Sequence, residues 1–294
     1  MQSRMLGKTG ESLSVIGFGA IVFVNENPDF ARRTVARAID AGINYFDMGP
    51  GYGKGEAEER GGPAIQPYRD NIFLAEKTGK RTKDGAAEEL RNSLKRMRTD
   101  HFDLYQLHGV KSAEEVRIIT GPGGALEAFV DARRQGLVRF LGFSAHSEEA
   151  ALALIDNFDF DTILFPVNYV TWYQGHFGPA VISKARDRQM GILALKALAK
   201  KPRIDGNREK WPKAWYSPVE TYDEAKNALR WTLSQPVTSC VSPSHAELLW
   251  WMIDAEKEIA PATSAFEKNM SVSSEGVTPI FMGQSQHQLP FESR

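Results

Sequence analysis

The sequence predicts an α/β fold, a (β/α)8 TIM barrel built as a single domain, and three observations carry the prediction. Short apolar runs alternate with longer amphipathic segments almost from end to end. Eight such runs can be counted, each followed by a helical pattern. No linker and no shift of composition marks a second domain. A doubly wound open sheet is the alternative, since a strand count taken from sequence is uncertain by about one or two.

The eight runs are VIGFGA (15–20), INYFD (43–47), NIFLAEK (71–77), FDLYQLH (102–108), VRFLGFS (138–144), TILFPV (162–167), GILALK (191–196) and VTSCVS (237–242). Each is short and bounded by Gly, Pro, Asp or Asn, as buried parallel strands are. Ahead of them, SRMLGKTGESLSV carries turn signals at Gly7 and Gly10 and predicts a hairpin that closes the barrel floor.

The segment 28–42 predicts the first helix, with Asn27 as cap, Pro28 in the first turn, a stop at Gly42, and Phe30, Val35, Ala36 and Ile39 on one face. Segments 86–98, 123–136, 147–158, 178–189 and 223–235 repeat the theme, and EAEER (56–60) reads as a solvated helix face. Two stretches break the alternation. Residues 197–221 form a long connection of the kind that is usually functional or disordered. The barrel is expected over 1–268, and residues 269–294, rich in Ser, Gln and Gly, as a tail packed on the barrel or trailing from it.

Composition narrows the function. A net charge of −1 with no basic stripe argues against nucleic acid, which needs several Lys and Arg on one face. The N-terminus lacks the apolar stretch of a signal peptide and no run reaches membrane-spanning length, so no membrane partner and a cytoplasmic location are expected. The single cysteine, Cys240, can form no internal disulfide. The six His show no metal-ligand spacing, so no metal site is expected.

One constellation has chemical completeness. In a parallel barrel the active site lies at the C-terminal ends of the strands. Asp47 ends the second predicted strand, Tyr52 follows in a Gly-rich turn, Lys77 ends the third and His108 ends the fourth. A free Tyr titrates near ~10 and is a poor acid at neutral pH. A neighbouring ammonium favours its phenolate. Tyr52 as acid, Lys77 as tuner, Asp47 as anchor of the lysine and His108 as orienter of a substrate oxygen make a device for reducing a carbonyl. Such a device needs a hydride source, hence a nicotinamide cofactor.

These residues carry a resemblance. LGKTGESLSVIGFG, INYFDMGPGYGKGEAEE, IFLAEKTG, LKRMRTDHFDLYQLHG, VRFLGFSAH and WTLSQPV are similar to segments of the aldo-keto reductase family, from about Leu6 to Leu249. The resemblance implies a (β/α)8 barrel, a catalytic tetrad at Asp47, Tyr52, Lys77 and His108, and NADP as cofactor, with NADPH favoured and NAD possible. It implies a small-molecule carbonyl substrate. It implies cofactor contacts at Gly19, Ala20, Ser144, Asn168, Lys196, Ala197, Leu198, Ser242 and Ser244. The chain departs from the family pattern at Ala145, where an Asn is common, at Leu164, where a Gln is common, and at Leu195, where an aromatic ring often stacks on the nicotinamide. It also lacks Arg near the eighth strand, so Lys196, Lys200, Lys201 and Arg203 are the available charges for a 2′-phosphate.

Trp172 and Tyr173 read either as substrate-pocket walls or as rim packing. Trp211 and Trp215 either close over the cofactor or cap the barrel, and Trp250 and Trp251 read as core or interface. Two other function classes stay open. One is a cofactor-binding regulatory or interaction protein on the same scaffold, as the β subunits of some potassium channels are. The other is a phosphate- or metal-using barrel enzyme. Oligomeric state is not encoded in any feature of the chain.

Overall fold

A computed structural model describes residues 1–203 and 210–283. Eight parallel strands close into a barrel: β1 (Ile16–Gly19), β2 (Tyr45–Asp47), β3 (Phe73–Thr78), β4 (Phe102–Val110), β5 (Val138–Ala145), β6 (Thr162–Pro166), β7 (Gly191–Leu195) and β8 (Ser239–Val241). Pairing runs in sequence order, and β8 returns to β1 through Cys240 opposite Ile16. That last pairing excludes the open doubly wound sheet.

The side-chain period of two sorts each strand into two layers. Tyr45, Phe73, Leu104, Leu164 and Leu193 point inward and fill the barrel. Phe46, Leu74, Tyr105 and Phe143 point outward into the core between barrel and helices. The expected hairpin forms from Ser3–Met5 and Ser12–Ser14, and its Leu6 and Leu13 join the inner layer as the floor. Each such fully buried side chain stabilises by roughly 1.5–3 kcal/mol.

Helices cover the outside, and several of their starts follow caps in the sequence. Asn27 accepts from Phe30 N at 2.8 Å and Pro28 opens the helix Pro28–Asp40. Its buried face is Ala31, Thr34, Val35 and Ala38, with Phe30, Ala36 and Ile39 only half-buried, so the expected face is rotated by part of a turn. The helix expected from residue 86 starts earlier, as Lys83–Met97, because Thr82 caps it. The EAEER segment opens the helix Glu56–Ile65, and Glu58 is not solvated. It is fully buried and pairs with Arg96 at 2.8 Å. Period alone cannot distinguish a solvated carboxylate from one that meets a cation on the next helix.

The connection 197–221 contains a two-stranded antiparallel hairpin, Ala199–Pro202 with Tyr216–Pro218. Beyond the last barrel helix, Ala246–Glu258, a further helix, Ser264–Ser274, crosses residue 269, where the barrel was expected to end. The segment after it returns to the rim. Phe281 stacks on Phe177 at 5.2 Å, and Gly283 N donates to Gly175 O at 2.7 Å. Residues 284–294 of the expected tail lie outside the described residues.

Candidate active site

The inner columns of β2, β3 and β4 change character toward their C-terminal ends. Tyr45 is followed two residues on by Asp47, Ala75 by Lys77, and Gln106 by His108. The period of two keeps each pair on the interior face, so the apolar filling of the barrel is topped by polar groups. Above β1 and β5 stand Gly19 and Ser144, whereas Leu164, Leu195 and Val241 top β6, β7 and β8. Asp47, Lys77 and His108 line one cleft of about 220 Å³ at the barrel mouth together with Gly19, Ser144, Leu164, Leu195 and Val241. One half of its base is polar and the other apolar.

The polar half is tightly connected. Lys77 Nζ donates to Asp47 Oδ2 at 2.6 Å and to Met48 O at 2.6 Å. Both side chains are almost wholly buried. The other carboxylate oxygen of Asp47 accepts from Tyr45 OH at 3.2 Å and from Gln106 Nε2 at 3.2 Å. Tyr45 and Gln106 were not singled out in the sequence. The signal was present, since each stands two residues before Asp47 or His108 on the same strand face.

Tyr52 comes from the turn after β2. Its ring lies 5.1 Å from Lys77 Nζ, and edge-on to His108 with centroids 5.5 Å apart. The turn needs its glycines at two points. A Cβ on Gly49 would sit 3.1 Å from the Tyr52 ring, and Gly55 holds φ +98°, which favours glycine. The sequence reading thus places Asp47, Tyr52, Lys77 and His108 on one rim, and the structure brings all four together.

Electrostatics assign protonation states. Burial pushes the Tyr52 phenol up, Lys77 pulls it down and Asp47 pushes it up again, with a net rise. Asp47 therefore does not itself lower the Tyr52 pKa; its part is to hold Lys77. Burial pulls the Lys77 ammonium down, but Asp47 and Tyr52 outweigh that and the net shift is upward. Burial, then Lys77, brings His108 down to about 3. At neutral pH the cleft thus offers a protonated phenol, a charged ammonium and a neutral imidazole with one N–H.

The other expected contacts divide. Gly19, Ala20, Ser144, Lys196, Ser242 and Ser244 line the cleft. Gly19 N donates to Ser242 Oγ at 3.0 Å, and Gly109 N donates to Ser144 Oγ at 2.7 Å, so both hydroxyl protons stay free to donate. Asn168 instead caps the helix Tyr169–Tyr173, accepting from Thr171 N at 2.9 Å, while its buried Nδ2 has no hydrogen-bond partner among the described residues. Ala197 and Leu198 are buried and are not among the residues that line the cleft. Trp172 and Tyr173 do not line it either. Both pack edge-on against Trp231, whose Nε1 donates to Tyr173 OH at 3.1 Å. Short helices after a strand can turn their aromatic face to the neighbouring helix as readily as to the pocket, and here the helix Tyr222–Ser234 takes it.

The long connection supplies wall residues of which the sequence pointed only to Trp215, as closing over the cofactor or capping the barrel. Lys213, Ala214, Trp215 and Tyr216 line the cleft, as does His146 after β5. Lys213 Nζ donates to Val22 O at 3.0 Å and pairs with Glu26 at 2.8 Å, tying the connection to the loop that follows β1. Trp211 lies edge-on to His245 and Trp251 and caps the rim. Lys200 is engaged by Glu224 at 2.5 Å. Arg203 donates to Trp211 O at 2.9 Å and to Ala214 O.

Comparison with known proteins points one way. A profile of the Aldo/keto reductase family matches residues 15–249. The chain is 34% identical over 157 residues to Uncharacterized oxidoreductase YqkF of Bacillus subtilis, covering 49% of each chain. It is 33% identical over 158 residues to the L-galactose dehydrogenase of Arabidopsis thaliana, covering 49% of this chain and 48% of that one. The matches thus span about half the length of these curated relatives. Among solved structures, the holo form of aldo-keto reductase AKR11C1 from Bacillus halodurans aligns over 95% of this chain and 98% of its own, with a TM-score of 0.75 at 21% identity. That likeness concerns the fold.

Proposed function

Because the chain belongs to the aldo/keto reductase family, we propose that it is an NAD(P)H-dependent oxidoreductase that reduces an aldehyde or ketone to an alcohol. The observation that carries the reading is the buried Lys77–Asp47 pair with Tyr52 and His108 in one cleft at the strand ends.

The donor set of the cleft fits a nicotinamide cofactor. The apolar base at Leu164, Leu195 and Val241 suits a flat ring, while the hydroxyls of Ser144, Ser242 and Ser244 suit an amide and phosphates. When bound, the cofactor supplies hydride to the carbonyl carbon. Tyr52 Oη gives its proton to the carbonyl oxygen as charge develops there. Lys77 favours the resulting phenolate, which lowers the cost of that transfer. Asp47, fixed by Tyr45 and Gln106, keeps Lys77 charged and aimed. The neutral His108 donates one hydrogen bond that orients the oxygen. A regulatory role without turnover has no use for this complete set.

The protonation states give a pH profile. An acid must be protonated to act, and Tyr52 is shifted upward, so its loss comes only in strong alkali. His108, down at about 3, is neutral throughout the ordinary range. We expect kcat/KM for aldehyde reduction to show no limb from either group between about pH 5 and 8. A limb in that range that vanishes in His108→Gln would contradict this assignment.

The long connection bears on the choice of cofactor. We favour NADPH over NADH because Lys213 of the long connection brings a cation to the cleft wall, which Ser244 also lines. Lys213 also straps the connection to Glu26 and Val22. Lys213→Ala should therefore speed NADPH release by about tenfold, the size of a lost charged hydrogen bond. Stopped-flow displacement of bound NADPH measures it.

A further inference from the structure

A second imidazole faces the cleft beside His108. It belongs to His146, the first residue after β5. Its backbone N donates to Val110 O at 3.1 Å, across the paired ends of β4 and β5. Its ring stacks on Phe281 with centroids 5.2 Å apart, and Phe281 lies edge-on to Trp215 of the cleft wall at 5.9 Å. On β4, Gly109 follows His108, and a Cβ there would stand 3.9 Å from His146 Nδ1. The ring is thus fixed by its backbone and by Phe281, next to the strand end that carries His108. Neither of its nitrogens makes a hydrogen bond among the described residues.

Burial, then Lys196 and Lys111, brings His146 down to about 3, so the ring is neutral near pH 7. A neutral imidazole offers one N–H and one lone pair. Taken out of water and left unused, such groups cost free energy. A hydroxyl both donates and accepts, so it complements the ring in either tautomer. A carboxylate only accepts, and it favours the imidazolium, the form that burial, Lys196 and Lys111 oppose.

We propose that His146 is a specificity-determining residue that hydrogen-bonds a hydroxyl of the substrate, so that the cleft takes hydroxyaldehydes and hydroxyketones ahead of plain carbonyl compounds of the same shape. The inference rests on the oxidoreductase reading and adds to it a class of substrate. Tyr52 and His108 hold the carbonyl oxygen, and His146 meets the second oxygen from the neighbouring strand. Adjacent strands lie about 4.8 Å apart, which places that hydroxyl on the first or second carbon from the carbonyl.

Two pairs of aldehydes test this, each exchanging a hydroxyl for a methyl group. They are glycolaldehyde with propanal, and 3-hydroxypropanal with butanal. The quantity read is the ratio of kcat/KM within each pair, with NADPH, for the wild type, His146→Phe and His146→Gln. Hydration of the aldehydes in water cancels when one ratio is compared between enzymes. The wild type should favour the hydroxyl member of at least one pair. His146→Phe keeps a ring against Phe281 and removes both nitrogens, and it should lower that ratio by about tenfold, the size of a lost hydrogen bond, with the loss carried by KM. His146→Gln restores a donor and an acceptor and should bring the ratio back to within about threefold of the wild type.

A wild type with no preference in either pair overturns the proposal. So does an equal loss on both members in His146→Phe, which is the mark of a packing role. A Gln variant as poor as the Phe variant overturns it too, because hydrogen bonding is then not what the ring supplies. Glyoxylate favoured over glycolaldehyde, by a margin that falls in His146→Phe, would assign an anion in place of the hydroxyl. Failure of the oxidoreductase reading looks different from all of these: no aldehyde of either pair is turned over with NADPH or NADH, and the proposal falls with the reading.

Discussion

Tyr52→Phe will reduce kcat/KM for aldehyde reduction by roughly 10²–10⁴-fold, the usual size of a lost general acid. NADPH affinity will stay within about threefold of wild type, because the phenol oxygen is the only atom removed. The ring stays, and so do its edge contact with His108 and its place below the glycine turn. Rates with a panel of aldehydes, together with NADPH fluorescence titration, separate the two effects. Parallel loss of affinity and rate would mean that Tyr52 holds the cofactor and does not donate the proton.

The second large effect concerns Lys77. Lys77→Met leaves Asp47 buried with two neutral donors, Tyr45 and Gln106, and no cation. Breaking a buried pair from one side costs about 3–5 kcal/mol, so the melting temperature should fall by roughly 10 °C. Turnover should fall as well, because Tyr52 keeps the upward push of burial and loses the downward pull of Lys77. The double variant Lys77→Met, Asp47→Asn removes both charges and should recover most of the melting temperature while remaining inactive. Recovery of activity in the double variant would show that Lys77 serves only stability. Differential scanning fluorimetry and the aldehyde assay, run on the same samples, read both quantities.

The part of this protein that was legible in its sequence is the part set by local pattern. All eight barrel strands could be located because apolar runs bounded by Gly, Pro, Asp or Asn are a one-dimensional signal. Asn27–Pro28 placed the start of a helix for the same reason. The grouping of Asp47, Lys77 and His108 followed from one rule, that strand ends in a parallel barrel share a rim.

What was not legible depends on contacts between distant segments. Glu58 looked like a solvated residue until Arg96, from another helix, was seen to meet it. Trp172 and Tyr173 had two available faces, and the partner that decides between them, Trp231, lies more than fifty residues away. The long connection kept its secret for a similar reason. Its strands, Ala199–Pro202 and Tyr216–Pro218, are too short to announce themselves, and only their pairing carries Trp215 and Tyr216 to the cleft. Tyr45 and Gln106 are the opposite case. Their alternation with Asp47 and His108 is visible in the sequence, and the inward period of two identifies them as the groups that fix the anchor.

The central claim is that hydride from a nicotinamide reaches a carbonyl held at Tyr52 and His108. Turnover of an aldehyde with NADPH deuterated at the transferred position of C4, followed by mass spectrometry of the alcohol, tests it most directly. The account predicts one deuterium on the carbinol carbon of each alcohol formed by the wild type, and no alcohol from Tyr52→Phe on the same timescale. Alcohol without deuterium, or bound NADPH that no aldehyde or ketone oxidises, would contradict it.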